Sequence, residues 1–262
     1  MSAKPRVAVL KLTSCDGCQL QLLDAEEALL ELAAEVEIVY FREATSREEE
    51  GPFDVAIVEG SISTPWQLDE VKKIRQASAA VVAIGACATT GGIQALRNLA
   101  DLDAYVASVY PSPEYIDSLA QSTPVSDHIH VDLELSGCPV DRGQLLGALS
   151  SLLEGSIPRV SRVPVCVECK RRGYTCVVVT RGEPCLGPIT ATGCGALCPA
   201  FSRGCYGCFG PADGLNAGAM WRLLREQGLG DEVIASKLRF INSWAPAIRA
   251  AASRSEANAS HS

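Results

Sequence analysis

Residues 6–18, RVAVLKLTSCDGC, pass from a run of β-branched and apolar side chains, Arg6–Leu12, into a turn that carries Cys15 and Cys18. A short apolar run bounded by turn residues is the pattern of a buried strand. Beyond it, from Gln19 to Ala34, apolar residues including Leu20, Leu23 and Leu30 fit an amphipathic helix. Cys15 and Cys18 therefore stand in the loop between a strand and a helix. The backbone N–H groups at a helix start favour negative charge, metal-bound thiolates included.

The same unit recurs along the chain. Further strands are expected at Val36–Phe41, Asp54–Val58, Ala79–Gly85 and Ile129–Leu135. Helices are expected at Pro65–Ala77, where proline suits the first turn, at Gly91–Leu99 as a short piece, and at Gln144–Glu154. Val106–Val125 is punctuated by proline and reads as irregular. Alternating strands and helices predict an α/β fold, a flavodoxin-like doubly wound parallel sheet. In such a sheet the loops after the strands share one edge, and ligands bind there. Cys87 follows the fourth strand and Cys138 the last, so one topology gathers Cys15, Cys18, Cys87 and Cys138, with Glu59 beside them.

After Gly155 the alternation stops, which predicts two domains, 1–155 and 156–262. The second opens on a different pattern: Cys166–Cys208, CVECKRRGYTCVVVTRGEPCLGPITATGCGALCPAFSRGCYGC, holds eight of the twelve cysteines. Thiolates select zinc, copper(I) or iron–sulfur clusters, and twelve cysteines make three sets of the four that a 4Fe-4S cluster takes. Sequential division gives Cys166, Cys169, Cys176 and Cys185, then Cys194, Cys198, Cys205 and Cys208. An interleaved division would pair Cys166/Cys169 with Cys205/Cys208 as zinc-ribbon knuckles. That spacing is longer than is usual and strands four cysteines, so spacing modestly favours the sequential one. Beyond the cysteines, helices are expected at Asp213–Gln227, capped by Asp213, at Asp231–Arg239 and at Ile241–Ala251, before a small polar end, 253–262, expected to be disordered.

The totals bound the function. A formal charge of −8 argues against nucleic acid, which wants a basic face. No run of eighteen apolar residues and no export signal is evident, which predicts a cytoplasmic protein with no membrane contact. Twelve cysteines in a reducing compartment point to metal ligation rather than disulfides. G-x-G-x-x-G is absent, so NAD(P) and flavin are expected on another subunit. His128 and His130 stand i, i+2 with no cysteine near them in sequence and make a poor metal site. Lys170, Arg171 and Arg172 form a basic patch, solvated or a docking spot for an acidic partner.

As an ordered set, SCDGC (14–18), VEGSI (58–62), GACATTGGIQ (85–94), SGCPVDR (136–142), PCLGPIT (184–190), LCP (197–199) and GCYGCFGP (204–211) resemble the small subunit of nickel–iron hydrogenases. The block 166–211 looks closest to the cytoplasmic NAD(P)-linked branch, the sulfhydrogenase delta type. The resemblance implies an electron-transfer subunit with three 4Fe-4S clusters. Cys15, Cys18, Cys87 and Cys138 would hold the proximal one, Cys166, Cys169, Cys176 and Cys185 the distal, and Cys194, Cys198, Cys205 and Cys208 the medial. The nickel–iron centre would belong to a large-subunit partner, and FAD and NAD(P) to iron–sulfur/flavin reductase subunits. Cys166 replaces the histidine of the uptake enzymes, Cys194 completes a set that many of them leave at 3Fe-4S, and Gln19-Leu20 replaces a serine–glutamate pair. The rival readings are a subunit of a related quinone or ferredoxin oxidoreductase, and a zinc-stabilised scaffold.

Overall fold

A computed structural model describes residues 4–259, without the side chains of Leu29 and 253–259. The chain divides into two compact units, Met1–Pro158 and Arg159–Ser262.

In the first unit, five parallel strands run in the order β2-β1-β3-β4-β5: β1 (Arg6–Lys11), β2 (Glu37–Phe41), β3 (Phe53–Glu59), β4 (Ser78–Ile84) and β5 (Leu133–Leu135). That is the flavodoxin-like order, with its switch point between β1 and β3. Central parallel strands are covered on both faces and read as continuous apolar runs. Ala56, Ile57 and Val58 of β3 and Val81–Ile84 of β4 are accordingly sealed from solvent. Val7↔Val55 and Lys11↔Glu59 set the register of the central pair, so Glu59 ends β3 level with the end of β1.

The helices are α1 (Gly17–Leu23), α2 (Glu27–Glu35), α3 (Pro65–Ala77), α4 (Gly85–Thr90), α5 (Leu102–Val109) and α6 (Arg142–Leu153). α3 starts on a capping box: the Thr64 side chain accepts from Gln67 N, and the Gln67 side chain accepts from Thr64 N. The single helix expected over 19–34 is two, because Glu26 takes φ 46° and ψ −110° and breaks the ladder. α5 forms inside the stretch read as irregular. Asp101 caps it by accepting from Ala104 N at 3.1 Å, and it buries none of its side chains. The last strand is three residues long, and Ile129–Asp132 lie outside it.

The second unit is helical: α7 (Val165–Arg171), α8 (Val177–Arg181), α9 (Leu197–Ala200), α10 (Ala217–Glu226), α11 (Asp231–Arg239) and α12 (Pro246–Ala259). Met220, Trp221, Leu224, Ile234, Leu238 and Ile248 of the last three helices pack with Leu186 and Ile189. α10 begins later than expected, capped by Asn216, whose Oδ1 accepts from Ala219 N at 2.8 Å, rather than by Asp213. Gly214, with φ +63°, interposes a left-handed residue that no helix continues through. α12 runs through Ala259, so 253–259 are helical in backbone where a disordered end was expected, and 260–262 lie outside the described residues.

Candidate functional site

Four cysteines far apart in sequence meet where the strands of the first unit end. Cys15 is exposed in the loop after β1, and Cys18 is buried in the first turn of α1. Cys87 lies in α4, which starts with no intervening loop where β4 ends, and Cys138 is exposed in the turn after β5. Val140 N donates to Cys18 Sγ at 3.4 Å, so the turn beyond β5 closes on the turn beyond β1. Backbone presses on sulfur from two further sides. A Cβ at Gly85, whose φ is +82°, would lie 2.3 Å from Cys18 Sγ, and one at Gly92, φ +62°, 2.7 Å from Cys87 Sγ. Only glycine fits both the conformation and the space.

Glu59 stands behind this group, 1% exposed. Its Oε1 accepts from Cys18 N at 3.3 Å and its Oε2 from Ser14 Oγ at 3.2 Å. Ser14 also donates to Asp16, which pairs with Lys11. Burial raises the Glu59 carboxyl, and the bonds from Cys18 N and Ser14 restrain the rise. Burial pushes the Cys18 thiol up to about 12, with Glu59, Cys87 and Cys138 adding to it. It pushes Cys87 up to about 11, with Cys138, Glu59 and Cys15 adding, and raises Cys138 beside Cys15. Half-buried thiols that repel one another as thiolates are held ionised only by a strong positive charge among them, which is what metal ions supply.

In the second unit eight cysteines lie on and between α7, α8 and α9 and in the turn beyond α9. Cys166 and Cys169 lie on α7, Cys176 just before α8, and Cys185 in a buried turn. A Cβ at Gly187 would lie 3.4 Å from both Cys166 Sγ and Cys185 Sγ, so two sulfurs nineteen residues apart in sequence share one glycine. Burial raises the Cys166 thiol, with Cys185, Cys169 and Cys176 adding to it. Burial raises Cys198, with Cys194 and Cys185 adding and the Tyr206 backbone restraining it. Burial pushes Cys205 up to about 12, with Gly207 N and Thr190 restraining and Cys185 and Cys208 adding. Cys205 N donates to Cys185 Sγ at 3.2 Å, and Gly207 N donates to Cys205 Sγ at 3.4 Å.

Among the described residues, no three His, Cys, Asp or Glu side chains close tightly enough to hold a single metal ion. A four-iron cluster seats each of four thiolates on its own iron. An all-thiol donor set with amides aimed at sulfur fits the cluster. The histidines are engaged elsewhere: His128 Nε2 lies 2.7 Å from Thr123 Oγ1, and His130 approaches Asp132. The amide donors to sulfur, Val140, Cys205 and Gly207, left no trace in the sequence, because every residue type but proline supplies an N–H and only the path of the chain aims it. Among the described residues, no helix is long and apolar enough to cross a membrane.

Residues 15–152 match the family described as NADH ubiquinone oxidoreductase, 20 Kd subunit, which takes in Cys15, Cys18, Cys87 and Cys138. The chain is 38% identical to sulfhydrogenase 2 subunit delta of Pyrococcus furiosus, over 91% of this chain and 100% of that one. It is 32% identical to a subunit of the vhu F420-non-reducing hydrogenase of Methanococcus voltae, over 81% and 84%. A crystal structure of an NAD+-reducing [NiFe]-hydrogenase in the H2-reduced state superposes with a TM-score of 0.54 at 27% identity, covering 60% of this chain and 95% of that one. The chain belongs to the family of the 20 Kd subunit of NADH ubiquinone oxidoreductase, among its hydrogenase subunits.

Proposed function

We propose that the chain is the electron-transfer subunit of a cytoplasmic nickel–iron hydrogenase, linking the nickel–iron site of a large subunit to an NAD(P)- and flavin-binding partner. The observation that carries the reading is the grouping of twelve thiols as four at the sheet edge and eight in the second unit, each buried sulfur backed by glycine or amide. Cys15, Cys18, Cys87 and Cys138 would hold the proximal 4Fe-4S cluster. Cys194, Cys198, Cys205 and Cys208 would hold the medial one, and Cys166, Cys169, Cys176 and Cys185 the distal. When bound, such clusters supply one-electron exchange. The residues of this chain would hold them in place, and the amides of Val140, Cys205 and Gly207 would stabilise charge on sulfur. No side chain here needs to act as acid, base or nucleophile.

The complex would convert H2 and NAD(P)+ into NAD(P)H and one proton. H2 would yield two electrons and two protons at the partner's metal, and the nicotinamide would take both electrons and one of the protons. Four thiolates in each set make every site more anionic than one with histidine or three cysteines, which lowers the potential toward that of nicotinamide. An EPR redox titration of the anaerobically purified complex tests this. Three 4Fe-4S signals at low potential are expected, together with hydrogen-dependent NAD(P) reduction. A 3Fe-4S signal in undamaged protein overturns the medial assignment, and clusters without hydrogen-dependent activity favour the related quinone or ferredoxin oxidoreductase.

A further inference from the structure

The helices that close the chain reach one cysteine turn through a single side chain. Between α11 and α12 the chain turns over residues 240–245, where Ile241, Asn242, Ser243 and Ala245 are all buried, Asn242 at 5% exposed. Asn242 Nδ2 donates to Gly207 O at 2.6 Å, across thirty-five residues of sequence. Gly207 stands between Cys205 and Cys208, and its own N donates to Cys205 Sγ at 3.4 Å. One glycine thus joins a cysteine sulfur on one side to the Asn242 amide on the other. Gly207 O also accepts from Gly210 N, at the longer distance of 3.3 Å, within the same turn.

Both ends of this contact are fixed. Gly207 takes φ +87°, and a Cβ there would lie 3.2 Å from Leu186 Cδ1. Leu186 follows Cys185 and packs in one core with Ala245 and Ile248. Asn242 is held in turn, because its O accepts from Ala245 N at 3.0 Å, and the Arg249 guanidinium lies over the Trp244 ring, 4.3 Å from the centroid. Burying an amide costs free energy unless its hydrogen bonds are made. An apolar side chain would suit the surrounding core better, so what the asparagine adds at this position is the bond to Gly207.

Resting on the cluster reading above, we propose that Asn242 is a positioning residue for the cluster held at Cys205 and Cys208, its amide fixing the Gly207 turn that aims an N–H at the Cys205 sulfur. The turn between α11 and α12 thereby becomes part of the support of that cluster. A hydrogen-bond donor buried beside a cluster, and an amide kept aimed at its sulfur, both stabilise the more negative, reduced state, so removing the donor lowers the potential. The competing account makes the bond an ordinary one that stabilises the turn between two helices and leaves the cluster untouched.

The test is an EPR redox titration of the anaerobically purified complex, with iron release to a chelator and thermal melts on the same samples. Asn242→Leu keeps the volume and removes the donor. One cluster signal should move to lower potential by about tenfold in its reduction equilibrium, about 59 mV for one electron, while the other cluster signals stay. About a third of the iron assignable to this chain should be released faster. Asn242→Gln, which keeps an amide on a longer stem, should move that signal less. Asn216→Ala is the control: it removes a side-chain bond at the start of α10, away from the cysteine turns, and should lower Tm with every signal in place. An Asn242→Leu protein with lower Tm and all potentials unmoved gives the bond to the fold alone and overturns the inference. So does a shift of all the cluster signals together. Outright loss of about a third of this iron, with the rest retained, supports the inference, and loss of all of it overturns it. Zinc without acid-labile sulfide in the wild-type complex refutes the cluster reading itself, and the inference falls with it.

Discussion

Substituting Gly85 by alanine probes the sheet-edge site with one methyl group. Gly85 holds φ +82°, and its added Cβ would lie 2.3 Å from Cys18 Sγ and 3.6 Å from Cys18 Cβ and from Gly137 O. An L-residue in the left-handed region costs about 1–2 kcal/mol. Overpacking adds about 1–3 kcal/mol, because the sulfur must move and Cys18 is held in α1 and by Val140 N. The sum, about 2–5 kcal/mol, corresponds to a fall of roughly 4–20 °C in Tm at about 2–4 °C per kcal/mol. The functional effect is sharper. Displacing one sulfur of four should remove the irons of this set while leaving those of the second unit, so the iron assignable to this chain falls by about a third. Gly147→Ala is the internal control. Gly147 sits inside α6 with nothing within 4 Å of an added Cβ and should gain about 0.5–1 kcal/mol. Thermal melts and iron assays on the anaerobically purified complex measure both. A Gly85→Ala protein with unchanged Tm and full iron would refute the reasoning.

Further outcomes follow from the same contacts. Gln67→Ala removes the group whose Oε1 accepts from Ser63 N and Thr64 N and whose Nε2 donates to Thr13 Oγ1, two residues before Cys15. Stability should drop by about 2–3 kcal/mol in denaturant melts, and the sheet-edge irons should become easier to chelate. Asn216→Ala should cost about 1 kcal/mol by uncapping α10, whereas exposed Asp213→Ala should stay within about 0.5 kcal/mol. Asp132 accepts from Val81 N at 2.8 Å and Arg75 Nη1 at 2.6 Å. Burial opposes its ionisation, yet these bonds outweigh it and hold the carboxyl below its ordinary value. Its stabilisation is therefore complete above the unfolded pKa of about 3.9 and is lost as pH falls through the lower folded value. Asp132→Asn should destabilise at pH 7 by about 1–3 kcal/mol, and its melting curve should converge on wild type in acid.

How legible these features were follows from their range in sequence. The sheet-edge cysteines could be placed because strand periodicity and the parallel-sheet rule act together, and Cys15, Cys87 and Cys138 each follow a strand by three or four residues. Helix α3 matched to the residue because Thr64, Pro65 and Gln67 encode its start locally. The break at Glu26 was hidden, since apolar spacing continues across it and only a backbone angle changes. Asp213 and Asn216 are both competent caps, and Gly214 between them decides for the second. How Cys166 and Cys185 both come to lie beside Gly187 depends on how the chain folds back, which spacing does not encode.

The central claim is that the thiols hold three four-iron clusters, and analysis of metals and acid-labile sulfide in the anaerobically purified complex tests it most directly. The account predicts about twelve irons and twelve sulfides assignable to this chain, with nickel contributed by a partner. About three zinc ions and no sulfide would contradict it and leave a structural scaffold in place of an electron path.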